Sequence, residues 1–88
     1  NTLVASAAEG ARYAANADRD LLDGEARTRE LIASAVSQRY ADGVSSRYVQ
    51  RGGVILVEVR VRTTLPLVGL IGPGESLEVT GHAVEEAP

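Results

Sequence analysis

Residues 54–65, Val54-Ile55-Leu56-Val57-Glu58-Val59-Arg60-Val61-Arg62-Thr63-Thr64-Leu65, decide the fold. Apolar and charged residues alternate along them, and a period of two is the repeat of a β-strand. Ile55, Val57, Val59, Val61 and Thr63 fall on one side; Glu58, Arg60, Arg62 and Thr64 fall on the other. An apolar face backed by a charged one marks an antiparallel sheet with one side in water. Just before this stretch, Arg51-Gly52-Gly53 reads as a turn, because paired glycines accept the positive φ values of a tight hairpin. Arg47-Tyr48-Val49-Gln50 supplies a short partner strand on its far side. Ser76 to Val84 repeats the alternation, with Leu77, Val79, Gly81 and Ala83 inward and Glu78, Thr80 and His82 outward. Glu58 and Glu78 are placed to pair with Arg60 or Arg62 across the sheet, an effect of about 0.5 kcal/mol each at most. Glu85 to Pro88 is expected to be a frayed tail.

Upstream, the period changes to that of a helix. Leu3, Val4, Ala7, Ala8, Ala11, Ala14 and Ala15 recur at spacings of three and four, which predicts a helix over residues 2–17. Gly10 costs this helix about 1 kcal/mol relative to Ala, either as a tolerated defect or as a point where another backbone approaches closely. The acids of Asn16 to Asp23 suit the N-terminus of a second helix, where carboxylates accept unpaired N–H groups. That helix is expected from Leu21 or Gly24 to Tyr40, with Leu22, Ala26, Ile32, Ala33, Val36 and Tyr40 as its stripe. Gly43 then provides a stop with positive φ. Two helices with one apolar stripe each, and a three-stranded antiparallel sheet with one apolar face, must cover each other. The fold class is α+β, a two-layer sandwich.

The chain has 88 residues, the length of one domain, and its core is correspondingly small. With no Cys, Met, Trp or Phe, that core is built from Ala, Val, Leu and Ile with three tyrosines. The absence of Cys excludes disulfides, thiolate metal sites and a cysteine nucleophile. A net charge of −3 argues against nucleic acid as a partner. No stretch approaches the roughly 20 apolar residues of a membrane span.

Groups that would carry catalysis are scarce. His82 is the only histidine, on the polar face of a late strand, where Thr80 and Val84 offer it no orienting partner. It is expected to be structural or solvent-exposed. Asp18, Asp20 and Asp23 lack the later ligands of a calcium loop and read as helix-capping acids. The run Gly69-x-x-Gly72-x-Gly74 is not a phosphate loop, since no helix follows and the chain has no Lys. Arg47, Arg51, Arg60 and Arg62 gather on the outer sheet face, either balanced by Glu58 and Glu78 or as a basic stripe for an acidic partner. No catalytic residue, metal site, cofactor or small-molecule substrate is expected, and enzyme activity is not expected. One connection stands apart. Residues 66–74, Pro-Leu-Val-Gly-Leu-Ile-Gly-Pro-Gly, place Leu67, Val68, Leu70 and Ile71 in a loop, either as a lid on the core or as an exposed docking patch.

Ala7-Ala8-Glu9-Gly10-Ala11-Arg12-Tyr13-Ala14-Ala15 resembles the A-A-x-E-G-A-R-x-A-A signature of TadE-like proteins, with the spacer before Glu9 shortened. These are pseudopilins and pilus-assembly proteins of the tight-adherence (Flp-type) pilus. The signature covers about a tenth of the chain, but the order around it is also similar: a second helix, a Val-rich alternating strand, a Pro/Leu/Gly-rich linker and a last strand ending in small residues and an acid. The resemblance implies a pilin-like sandwich in which residues 2–17 continue a transmembrane helix encoded upstream of Asn1. Residues 1–88 would then be a single extracytoplasmic domain, membrane-anchored or built into a surface pilus. It further implies a structural minor pseudopilin, whose partners are other pilin subunits, the assembly machinery and, through the upstream helix, the membrane. Glu9, Gly10 and Arg12 then become candidate contact residues: Gly10 for close helix packing, Glu9 and Arg12 as an i,i+3 pair or as a link to a neighbouring subunit. Leu67, Val68, Leu70 and Ile71 become a candidate contact patch. The alternative is a membrane-tethered extracytoplasmic ligand-binding or adaptor domain, which needs a concave pocket with convergent polar groups.

Overall fold

The alternating stretch is the central strand of the sheet. A computed structural model describes residues 2–64 and 76–86. In it two helices, α1 (Thr2–Ala14) and α2 (Leu21–Ala35), are followed by a 3₁₀ turn (Gln38–Tyr40) and three strands, β1 (Val44–Arg51), β2 (Val54–Thr64) and β3 (Ser76–Val84). The strands pair antiparallel in the order β1-β2-β3, with Tyr48 opposite Val57 and Val59 opposite Gly81. Both helices pack on one face of this sheet, so the fold is the expected α+β two-layer sandwich. α1 lies over β2 and β3, while α2 lies toward β1.

The core follows the two periods. Val57, Val59 and Val61 of β2 are fully buried, as are Ala7, Ala11 and Ala14 of α1. Leu3 and Ala15 join them, but Val4, expected in the same stripe, turns outward. Small side chains on α1 bring the layers close together. A Cβ added to Gly81 would sit 2.4 Å from the backbone nitrogen of Ala8, so β3 presents bare backbone to α1 at that point. The two helices also meet backbone to backbone. A Cβ on Gly10 would lie 2.9 Å from the carbonyl oxygen of Gly24, and one on Gly24 would lie 2.8 Å from that of Gly10. Gly10 is therefore a site of close approach. Gly52 and Gly53, at φ 57° and 79°, form the expected hairpin turn with positive φ at both central residues.

Several expectations are corrected. α1 ends at Ala14, because the Asn16 N–H turns back to the Tyr13 carbonyl and tightens the last turn. α2 ends at Ala35: Val36 leaves helical geometry, and Ser37 caps the separate turn that carries Tyr40. Its buried stripe keeps the expected Ile32 but runs through Gly24 and Thr28 in place of Leu22 and Val36; Leu22 is 71% exposed. The inward line is small because α1 comes so close, and the Thr28 hydroxyl is satisfied by the Gly24 carbonyl at 2.8 Å. Gly43 does not adopt positive φ; it is small because the Arg62 carbonyl oxygen lies where its Cβ would be. β1 starts at Val44, three residues earlier than expected. The tail is tied down, not frayed, over its described part: Glu85 N–H donates to the Ile55 carbonyl at 2.9 Å and Glu86 N–H to the Ala15 carbonyl at 2.8 Å.

The layers differ in length. Eleven strand residues in β2 span about 36 Å, and thirteen helical residues in α1 about 20 Å. The sheet therefore outruns the helices at the β1–β2 hairpin. This is why Ile55, on the inward side by parity, is 48% exposed, and Tyr48 beside it equally so.

Candidate functional site

The signature segment lies on α1 and divides its residues between two tasks. Ala7, Ala11 and Ala14 face the sheet, and Gly10 faces α2 of the same chain. Glu9 and Arg12 face outward and form an i,i+3 ion pair at 3.1 Å. They line a shallow, mostly apolar groove of about 370 Å³ between α1 and α2, together with Thr2, Ala5, Leu31 and Ala35. This places two of the candidate contact residues, Glu9 and Arg12, on one concave surface. Leu67, Val68, Leu70 and Ile71 lie outside the described residues.

On the opposite side, the outer sheet face holds a charged lattice set by strand register. Arg47, Glu58 and His82 occupy one cross-strand row. Glu58 stands mid-strand at the centre of the sheet and is only 5% exposed, flanked by larger side chains on both sides. Its Oε2 accepts from Arg47 Nε at 2.7 Å, and its Oε1 lies 2.9 Å from His82 Nε2. The Arg47 hydrogen bond foremost, then that of His82, hold the Glu58 carboxyl below the usual carboxylate range, against burial, which acts the other way. Arg60 Nε lies 3.7 Å from Glu78, and Arg62 Nε 4.0 Å from the same carboxylate. The basic stripe is thus largely neutralised by the two glutamates. His82 does have an orienting partner, and it comes from the neighbouring strand. Reading along β3 alone hid Glu58; the cross-strand register would have exposed it.

A second tie links the layers. Ser46 Oγ donates to Glu25 Oε2 at 2.5 Å, and Arg29 donates to the other oxygen of Glu25 at 3.2 Å. Asp20 and Asp23 act as the expected caps, each side chain accepting the other's backbone N–H at 2.9 Å. Among the described residues, no group of three or more His, Asp or Glu is placed to hold a metal ion, and no helix is long and apolar enough to cross a membrane.

The hairpin overhang makes a notch of about 410 Å³, lined by Tyr48, Val49, Gln50, Ile55 and Glu85. Nothing in the sequence pattern marked it. The pKa of Tyr48 is raised above the ordinary phenol value by partial burial, then by the nearby carboxylates of Glu85 and Asp20. No family model matches the chain, and no curated protein or solved structure matches it either.

Proposed function

We propose that this domain is the extracytoplasmic part of a TadE-like pseudopilin, a structural minor subunit of a tight-adherence, type IV-like pilus. The observation that supports this reading most is how the Ala-Ala-Glu-Gly-Ala-Arg segment is used. Its small residues serve packing within the domain, while Glu9 and Arg12 are left on an apolar groove along α1. An apolar floor with a polar rim is the make-up of a protein contact surface. The role is one of surfaces and not of reacting groups. Its partners are other pilin subunits and the assembly machinery, and its link to the membrane is a helix upstream of α1.

The test is deletion of the gene in its host, followed by complementation. Surface filaments counted by electron microscopy are expected to disappear and to return with the wild-type gene. The Arg12→Glu variant, which places two like charges at the groove, is expected to restore few. Normal filaments in the deletion strain would refute the reading.

A second reading, a membrane-tethered adaptor that binds a ligand, is favoured by the notch at the hairpin. It predicts normal filaments in the deletion strain.

A further inference from the structure

We propose that the groove between α1 and α2 receives the β1–β2 hairpin end of a second copy of this chain, in a head-to-tail contact. The inference rests on the filament reading and names the segment that fills the groove. Apolar side chains left in water crowd one end of the molecule. Tyr48, Val54, Ile55 and Val84 are 42–61% exposed and lie on both faces of the sheet beside the hairpin turn. The hairpin projects past the helices there, so it is a wedge with apolar sides. The groove faces away from it. The Glu86 N–H bonds the Ala15 carbonyl at 2.8 Å, which ties the C-terminal end of α1 to the hairpin end of the sheet. The groove opens at the other end, from Thr2 beside the last turns of α2, with Ala5, Leu31 and Ala35 as its floor.

Shape and charge select among the ways two copies can meet. A groove set against a second groove leaves empty space, which close packing disfavours. Two hairpins set tip to tip bring Arg47 and Arg51 against arginines of the same sign. A wedge set in a groove does neither. The strands of the hairpin, residues 44–64, carry four arginines and one glutamate, while the helical layer, residues 2–35, carries six acids and four arginines. Arg51 stands exposed beside the turn and, among the described residues, pairs with no acid of its own chain. Glu9, on the groove, holds Arg12 through Oε1, and among the described residues no donor reaches its Oε2. In the docked pair Arg51 reaches Glu9 of the next copy, and Ile55 rests on Leu31 and Ala35. Two different surfaces meet, so each copy still offers a hairpin and a groove to further copies. Such a contact extends into an open chain where its rotation does not close.

The experiment is in-cell photo-crosslinking of the full-length protein in its host. Two differently tagged versions are co-expressed, one with p-benzoylphenylalanine in place of Ile55 and one wild type. Adducts between the two tagged versions are expected, mapped by mass spectrometry to the groove around Ala5, Leu31 and Ala35. Arg51→Glu in the probe-bearing version is expected to lower the adduct yield about threefold, the effect of reversing one exposed charge pair. Glu9→Arg in the other version is expected to restore it. Ile55 and Arg51 are exposed, so the fold tolerates both changes. Adducts on the hairpin of the second copy, adducts only with other proteins, or none at all would overturn the docking. Failure of Glu9→Arg to restore the yield would overturn it as well. Filaments are counted on the same cells and on the deletion strain. Filaments lost on deletion, with no groove adduct, overturn the docking and leave the pilus reading standing. Groove adducts in a host whose deletion strain keeps its filaments overturn the pilus reading and uphold the docking.

Discussion

Gly81 carries no side chain because α1 leaves no room for one. The atoms in its way are backbone atoms of Ala7 and Ala8, which cannot rotate aside. Gly81→Ala is expected to lower stability by about 2–3 kcal/mol, read as a drop in the urea midpoint, through overpacking. Gly10→Ala sets two effects against each other. Alanine favours the helix by about 1 kcal/mol, but its Cβ would meet the Gly24 carbonyl and Thr28. Overpacking wins, for a net loss of about 1–2 kcal/mol in the same measurement. Glu58 gives a prediction in pH. Its folded pKa is depressed, so its contribution is present above the unfolded carboxylate range and is lost as pH falls through the folded value. Glu58→Gln is therefore expected to be less stable than wild type at pH 7 by about 1 kcal/mol, a charged hydrogen bond discounted because its arginine partners are solvated. That gap should narrow once the pH falls below the ordinary carboxylate range and close when Glu58 itself is protonated; a gap that stays constant with pH would contradict this. Burial of Glu58 was not legible in the sequence, since it depends on which residues the register sets beside it.

The strands were legible and the helices half so, for a physical reason. Along β2, one-residue alternation separates two faces, and any one-residue slip would put arginines in the core. Along α2, the face that packs is chosen by how near α1 can come, and Gly24, Thr28 and Ile32 allow a closer approach than Leu22 and Val36. A search for the most apolar stripe therefore finds Ile32 and Tyr40 but misses Gly24 and Thr28. The polar signals at the ends of elements proved more reliable. Asp20 and Asp23 close a reciprocal cap, so Asp20→Ala is expected to cost about 1 kcal/mol in thermal or urea unfolding, and Asp20→Ser to recover most of it. The hairpin turn has the same clarity. Gly52 and Gly53 both need positive φ, and Asn accepts that conformation where Val does not. Gly52→Asn is expected to be nearly neutral, and Gly52→Val to cost about 1–2 kcal/mol.

The molecule as a whole pairs a short helical layer with a long sheet. Inside the overlap there is close packing on glycine and alanine; beyond it there is the notch, and along the helices there is the groove. Neither concavity was legible beforehand, because each depends on how far one layer reaches past another, and no local pattern encodes that. What the sequence did contain was the α+β class, the order of the elements, and the outward Glu9 and Arg12. The proposed filament role predicts that a neighbouring subunit covers the groove beside those two residues. The most direct measurement is in-cell photo-crosslinking of the full-length protein in its host, with p-benzoylphenylalanine in place of Arg12. Covalent adducts with a pilin-type subunit are expected at Arg12 and not at the outer sheet position Thr80. Adducts at Arg12 only with proteins outside the filament, or pilin adducts equally strong from Thr80, would contradict it.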